Sequence, residues 1–271
     1  MFFTILTQPL ANGLILFYKL LGQNLGLAII GFSVFLRLIL NPLTKPYMES
    51  MKKMKEFAPQ LEKLKNKYKG DRVKFAQAQA DFYKEKKINP GAGCLPYLLQ
   101  IVILIAFFNV FTRTLSAGGD VTMRFNEVLY EPLKFTSGQV VNTKFLYFWD
   151  VAKPDVIKLS FLPFGIPGPI ILLAAIVQFW SSKLMSPVLG QEQKVAKSTT
   201  DSKDDMQVAM QKSMTYTFPL MTIVFGMSFP SGLALYWFLF SFWQLMQQMG
   251  TSGNNQFKAL FNRFKFGKIR G

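Results

Sequence analysis

Apolar and polar positions are segregated along this chain. Ile88–Thr112 and Leu159–Ser182 contain no charged residue, and Ser213–Phe257 runs 45 residues without one. A membrane span needs about 20 mostly apolar residues. The last stretch holds two, divided by "FPSG" (Phe229 to Gly232), where Pro and Gly break a helix. From Leu20 to Thr44 a further apolar window is charged only at Arg37. These windows predict five transmembrane helices, at Asn24–Leu43, Pro96–Leu115, Pro167–Met185, Met214–Phe229 and Leu233–Met249. The predicted fold class is all-α, a polytopic five-helix membrane bundle. Ahead of it, Leu10, Leu14, Phe17 and Leu21 share one helical face, Asn12 and Lys19 lie off it, and Pro9 can open the helix. That pattern predicts a short amphipathic helix in the outer interface; a sixth span is the other reading. Met1–Tyr18 lacks the basic start and small-residue cleavage site of a signal peptide.

The segment after the first span also has helical spacing. Met48, Met51, Met54, Phe57, Leu61, Leu64 and Tyr68 recur at steps of three or four. "KGD" (Lys69 to Asp71) makes a turn with Asp71 placed as N-cap, and Val73, Ala76, Ala80 and Tyr83 repeat the pattern up to "INPGAG". Two facing apolar stripes predict a helical hairpin, with Pro59 kinking or interrupting its first arm. The Met48/Met51/Met54 row is either the hairpin's own seam or a soft surface for varied apolar segments. Its lysine-rich faces are either simply solvated or meet anionic lipid or ribosomal RNA. The expected organisation is therefore an interfacial helix at 1–23, spans at 24–43, 95–115, 161–185, 213–229 and 232–249, the hairpin at 44–94, an outer loop at 116–160, a polar loop at 186–212 and a basic tail at 250–271.

Charge sets the orientation. Of 271 residues, 31 are basic and 15 acidic. The hairpin carries 13 Lys and Arg, the Lys183–Lys212 loop and the tail 5 each, against 7 on the other side. The positive-inside rule places the N-terminus outside and the C-terminus in the cytoplasm. There is no histidine, which excludes His-based acid–base catalysis and histidine metal ligation, and Cys94 is alone. No catalytic residue, metal or cofactor is expected. In the tail, Lys258, Arg263, Lys265, Lys268 and Arg270 alternate with four phenylalanines. A helix resting on the inner leaflet and a contact with ribosomal RNA both fit. The outer loop has balanced charge and no motif.

Arg37 is the sharpest feature. A guanidinium within a span costs at least about 2.5–3.5 kcal/mol. Ser33, Arg37, Asn41 and Thr44 fall on one face; Trp237, Ser241, Gln244 and Gln248 form a second stripe; Gln178, Ser181 and Ser182 give a third. Polar stripes in a lipid-embedded helix face protein or water, so three helices are expected to converge on a wet cavity with one fixed positive charge. Snorkelling of Arg37 toward the cytoplasm is the plainer alternative. An unpaired buried cation implies an anionic visitor: a polypeptide carboxylate, or a small anion in a transporter or channel. A Ser–Lys protease dyad in "WSSKL" (Trp180 to Leu184) is disfavoured, because adjacent helical residues point apart.

Three stretches carry a family resemblance: "AIIGFSVFLRLILNPLTKPYMESMKKMKEFAPQLEKLKNKYKGD", "FYKEKKINPGAGCLPYLLQ" and "FPSGLALYWFLFSFWQLMQQ". They resemble the YidC/Oxa/Alb membrane protein insertases, over about Leu10 to Gln248, in the minimal five-span form without a large periplasmic domain. The resemblance implies a bacterial inner-membrane protein that inserts nascent apolar segments without ATP. It further implies a hydrophilic groove open to cytoplasm and lipid and closed outside. Arg37 matches the groove arginine, Ser33 a groove hydroxyl and Trp237 a groove aromatic. Ser241 stands where the family often has Asn, and Gln178 sits about a turn from the family's glutamine. Guest helices would slide along the second and fourth spans. Implied partners are nascent membrane proteins, lipids, the ribosome and a Sec translocon, with no small-molecule substrate.

Overall fold

The computed structural model describes residues 3–68, 70–88, 95–115, 119–161, 163–196 and 213–252. Among them the chain is mostly helical. A π-helical turn (Phe3–Thr7) leads into α1 (Gln8–Leu20), followed by α2 (Leu25–Lys67), α3 (Arg72–Glu85) and α4 (Leu95–Thr114). A cap over one end of the bundle contains α5 (Val121–Val128), a 3-10 turn (Glu131–Leu133), and two two-stranded antiparallel hairpins. These pair β1 (Lys144–Phe145) with β2 (Trp149–Asp150), and β3 (Val156–Ile157) with β4 (Ile166–Pro167). Then come α6 (Pro169–Ala196), a second π-helical turn (Ser213–Thr217), α7 (Phe218–Gly226) and α8 (Ser231–Ser252).

α2 is 43 residues long and runs unbroken through Pro42, Pro46 and Pro59. The interruption at Pro59 is therefore absent: the first apolar helix and the first hairpin arm are one helix. Each internal proline removes one backbone hydrogen bond without terminating the helix. Its first half, Leu25–Pro46, is the one stretch among the described residues long and apolar enough to cross a membrane, with a mean hydropathy of 1.8. Shorter apolar stretches lie at Ile101–Thr114, Pro169–Lys183 and Thr215–Gly226. The second hairpin arm, α3, is capped by Asp71, whose carboxylate accepts from Lys74 N at 3.0 Å. It meets α2 through the edge-to-face rings of Phe57 and Phe82.

Helical spacing explains the core. α4 turns Ile103, Phe107, Val110, Phe111 and Thr114 inward at steps of three and four, and α2 does the same with Leu25, Ala28, Ile29 and Phe32. Phe107 stacks on Tyr236 of α8 at 4.2 Å and leans on Phe32 and Phe111. The opposite faces are exposed yet apolar: Leu27, Val34, Phe35, Leu38, Ile39 and Leu43 on α2, and Leu172, Leu173 and Ile176 on α6. Such outward apolar surface suits lipid, not water.

The cap is latched to the turn before α8. Ser231 N donates to Lys153 O at 2.7 Å and Gly232 N to Val151 O at 2.9 Å, while Trp149 Nε1 donates to Ser231 Oγ. A Cβ at Gly232 would press on Ile29, Phe111 and the Val151 carbonyl, each at 3.1 Å, so the turn needs a residue without one. α1 joins the same core through Ala11, Leu14, Ile15 and Tyr18. Asn12, expected off the apolar face, is buried: it donates to Val128 O and accepts from Tyr130 N, clamping α1 to the cap. Leu21, expected on that face, is exposed. The buried face is thus rotated from the one the apolar spacing suggests, because the cap supplies polar partners for Asn12.

Asp155 secures the start of α6 from outside the helix. Its carboxylate accepts from Ile171 N at 2.9 Å, and its carbonyl from Gly168 N at 2.7 Å. Burial holds its carboxyl above the ordinary 3.8 of an aspartate, partly opposed by the backbone N–H groups of Ile171 and Ile170. The folded state therefore binds more protons than the unfolded chain just above pH 3.8, and stability falls as pH rises through that window. Asp155→Asn keeps an acceptor for Ile171 N and should abolish this pH dependence. Asp155→Ala should cost about 1 kcal/mol through loss of the cap. Thermal unfolding of both variants across pH checks the pair.

Candidate functional site

Below the aromatic core, on the side away from the cap, the helix interiors become polar. Arg37 lies on α2 little more than one turn past Phe32 and is half-buried. Its Nη2 donates to Gln247 Oε1 of α8, and Gln247 Nε2 donates in turn to Asn41 Oδ1 at 3.0 Å. The guanidinium carbon stands 5.4 Å from the centre of the Phe240 ring. Arg37 Nε is buried with no hydrogen-bond partner among the described residues. Among those residues no carboxylate forms an ion pair with Arg37, so the site keeps its full positive charge. The expected solitary cation is thus replaced by one tethered to a neutral amide, which orients the guanidinium without cancelling it.

The α2 stripe is half-realised. Asn41 belongs to the arginine chain; Ser33 bonds back to Ile29 O of its own helix, and Thr44 does the same to Asn41 O. Gln248 of the α8 stripe has a partner other than Arg37. Gln248 accepts from Ser181 Oγ of α6 at 3.2 Å, Ser241 is buried, and Gln244 is half-buried. Gln178 of α6 accepts from Thr222 Oγ1 of α7 at 2.8 Å, and Ser182 is half-buried beside Ser181. Ser181 and Gln248 therefore tie α6 to α8, and Gln178 ties α6 to α7, instead of joining Arg37 in one cavity. Trp237 is separate too. Its ring faces Phe218 at 6.3 Å and lines an apolar hollow of about 370 Å³, with Leu104 and Phe108 of α4, Met221 of α7 and Ile171 of α6.

Sequence reasoning missed Gln247, Phe240 and Thr222. Adjacent residues on a helix are 100° apart, and glutamines occupy both 247 and 248. Only the position of α8 against α2 decides that Gln247 meets the arginine. In the hairpin, Pro59 is exposed within the unbroken α2, and Lys67 Nζ stands 5.4 Å over the Tyr68 ring. The side chains of Met48, Met51 and Met54 lie outside the described residues, as does the tail with Lys258, Arg263, Lys265, Lys268 and Arg270.

A family model described as 60Kd inner membrane protein matches residues 16–258. A relative from Pelobacter propionicus, named membrane protein insertase YidC, is 33% identical over 251 residues, covering 91% of this chain and 38% of its own length. A relative of the same name from Syntrophobacter fumaroxidans is 32% identical, over 91% of this chain and 37% of its own. A third, from Fusobacterium nucleatum, is 32% identical over 225 residues, covering 83% of this chain and 84% of its own. The chain thus spans well under half the length of the first two relatives and most of the third.

Proposed function

Because the chain belongs to the 60Kd inner membrane protein family, the YidC/Oxa group, we propose that it is a membrane protein insertase rather than an enzyme. In this reading α2, α4, α6, α7 with its preceding π-helical turn, and α8 are the five spans. The N-terminus lies outside and the hairpin of α2 and α3 is cytoplasmic. Nascent membrane proteins are the substrates. The carrying observation is Arg37, a membrane-helix cation held by a neutral glutamine, with one buried N–H group left over. Such a group attracts carboxylates on an incoming chain, and the charge-assisted contact is repaid only while the guest is present. The hollow flanked by α4 and α7 offers an apolar wall to the guest helix, whose partitioning into lipid drives the step. The ribosome, through the basic tail, and a Sec translocon are the proposed accessory partners. An anion channel needs a polar path to both sides, and the aromatic core stacked above Arg37 disfavours one.

Insertion into proteoliposomes of a single-span substrate with a short, acidic translocated tail tests this reading. Saturable anion flux without such insertion refutes it. A companion prediction concerns Gln247→Glu. A carboxylate at the Arg37 tether pairs with the guanidinium and neutralises the site, so transfer of acidic tails should fall about as far as on removing the arginine, while folding is kept. Insertion kinetics beside a melting curve read both.

A further inference from the structure

We propose that the cap carries two aromatic anchors seated in the headgroup region of the outer leaflet: the turn of Leu146, Tyr147 and Phe148, and the pair Phe161 and Phe164. The inference rests on α2 and α6 being membrane spans, as in the reading above. Tyr147 is 98% exposed, Phe161 79% and Phe148 78%, whereas Phe125 and Val151 of the same cap are fully buried. The cap has its own filled core, and these rings are not part of it.

The backbone favours the same assignment. Leu146 and Tyr147 adopt φ of 51° and 65°, the left-handed region that suits glycine or asparagine. A turn facing water would use those residues. Here bulky side chains occupy strained positions at a tip where Leu146 is exposed over half its surface and Tyr147 over nearly all of it.

The location identifies the occupant. β1 is pinned to the first turn of α2: Leu25 N donates to Asn142 O at 3.1 Å, Asn24 Nδ2 to Lys144 O at 2.9 Å, and the Phe145 ring packs on Gly26. The β3–β4 hairpin that carries Phe161 and Phe164 runs directly into the first turn of α6, which starts two residues after β4 ends, near Asp155. Each tip therefore emerges beside the end of an apolar helix whose outward residues begin at Leu27 and Leu172. Aromatic side chains at that level match the belts that membrane proteins place at both interfaces. Lys144 and Lys158, exposed next to the tips, suit the phosphates of the same headgroups.

The test uses the full chain in nanodiscs of phosphatidylethanolamine and phosphatidylglycerol, one copy per disc, in a Cys94→Ser background. An environment-sensitive fluorophore is placed by Tyr147→Cys, by Phe161→Cys in the other hairpin, and by Ser137→Cys at an exposed point of the cap. Probes at 147 and 161 should emit at shorter wavelength than the probe at 137, and be quenched by a nitroxide near the lipid headgroup. Emission from both tips matching that at 137 overturns the proposal. So does a blue shift that appears only when discs hold two copies or when other membrane proteins are added, since the tips would then be protein contacts. A probe introduced by Ile39→Cys, quenched by a nitroxide near the bilayer centre, checks the span placement separately. Tips in water with residue 39 in lipid sink this inference alone.

Discussion

Arg37→Gln should slow insertion of substrates with acidic translocated tails by about ten- to a hundredfold, the equivalent of the roughly 1.5–3 kcal/mol that a charged hydrogen bond contributes. The physical case lies in what the site lacks. Arg37 meets Gln247 and the face of Phe240, both uncharged. Its charge is therefore available to a visiting carboxylate, with no carboxylate among the described residues to displace. The same reasoning predicts that folding will not suffer. Holding a half-buried guanidinium in a membrane helix is costly, so removing it should leave the melting temperature unchanged or raised. Arg37→Lys preserves the charge but loses the fork that reaches Gln247 and a guest together, and should retain an intermediate rate. Substrates with neutral tails should be affected least. Rates for acidic and neutral tails with the three proteins, beside their melting curves, decide the matter; equal loss for both tails would show that the arginine acts structurally.

The second large effect is on stability. Phe107→Ala should destabilise the protein by about 3 kcal/mol, the low end of the range for a buried phenylalanine. The low end applies because lipid, unlike water, competes for the exposed ring; what is lost is packing. Phe107 is 1% exposed and touches rings from three elements: Phe32 of α2, Phe111 of α4 and Tyr236 of α8. No single neighbour can move in to fill the space. Phe108, the next residue, points to the outer face and is 37% exposed. Phe108→Ala should cost far less, and the contrast between the two by thermal unfolding in nanodiscs separates core packing from general loss of a ring.

Helical spacing and charge made much of this legible. The apolar periods of α2 and α4 indicate their helices, Asp71 marks the start of α3, and the motifs around Arg37 and the "FPSG" turn point to the family that residues 16–258 match. Helix ends were harder. Pro59 reads as a kink or an interruption, yet α2 passes it, and Pro42 and Pro46 as well, because favourable spacing on either side outweighs three missing hydrogen bonds. The cap carried no sequence signal. Its fold depends on long-range polar pairs, Asn12 with Val128 and Tyr130, and Trp149 with Ser231, which no local pattern encodes. The site was legible in its charge but not in its partners. Gln178, Ser181 and Gln248 read as cavity-lining from one helix at a time. Only with all helices in place do Thr222 and Gln247 divide them into structural ties and an arginine tether.

The unbroken course of α2 also has a mechanical meaning. Thirty residues separate Arg37 from Lys67, a lever of about 45 Å at 1.5 Å per residue. Between its ends the helix lacks a backbone hydrogen bond at Pro42, at Pro46 and at Pro59, the places where a long helix bends most readily. All three lie between the tip and the charge, so the path from a partner at the hairpin to Arg37 runs along one helix with three missing backbone bonds.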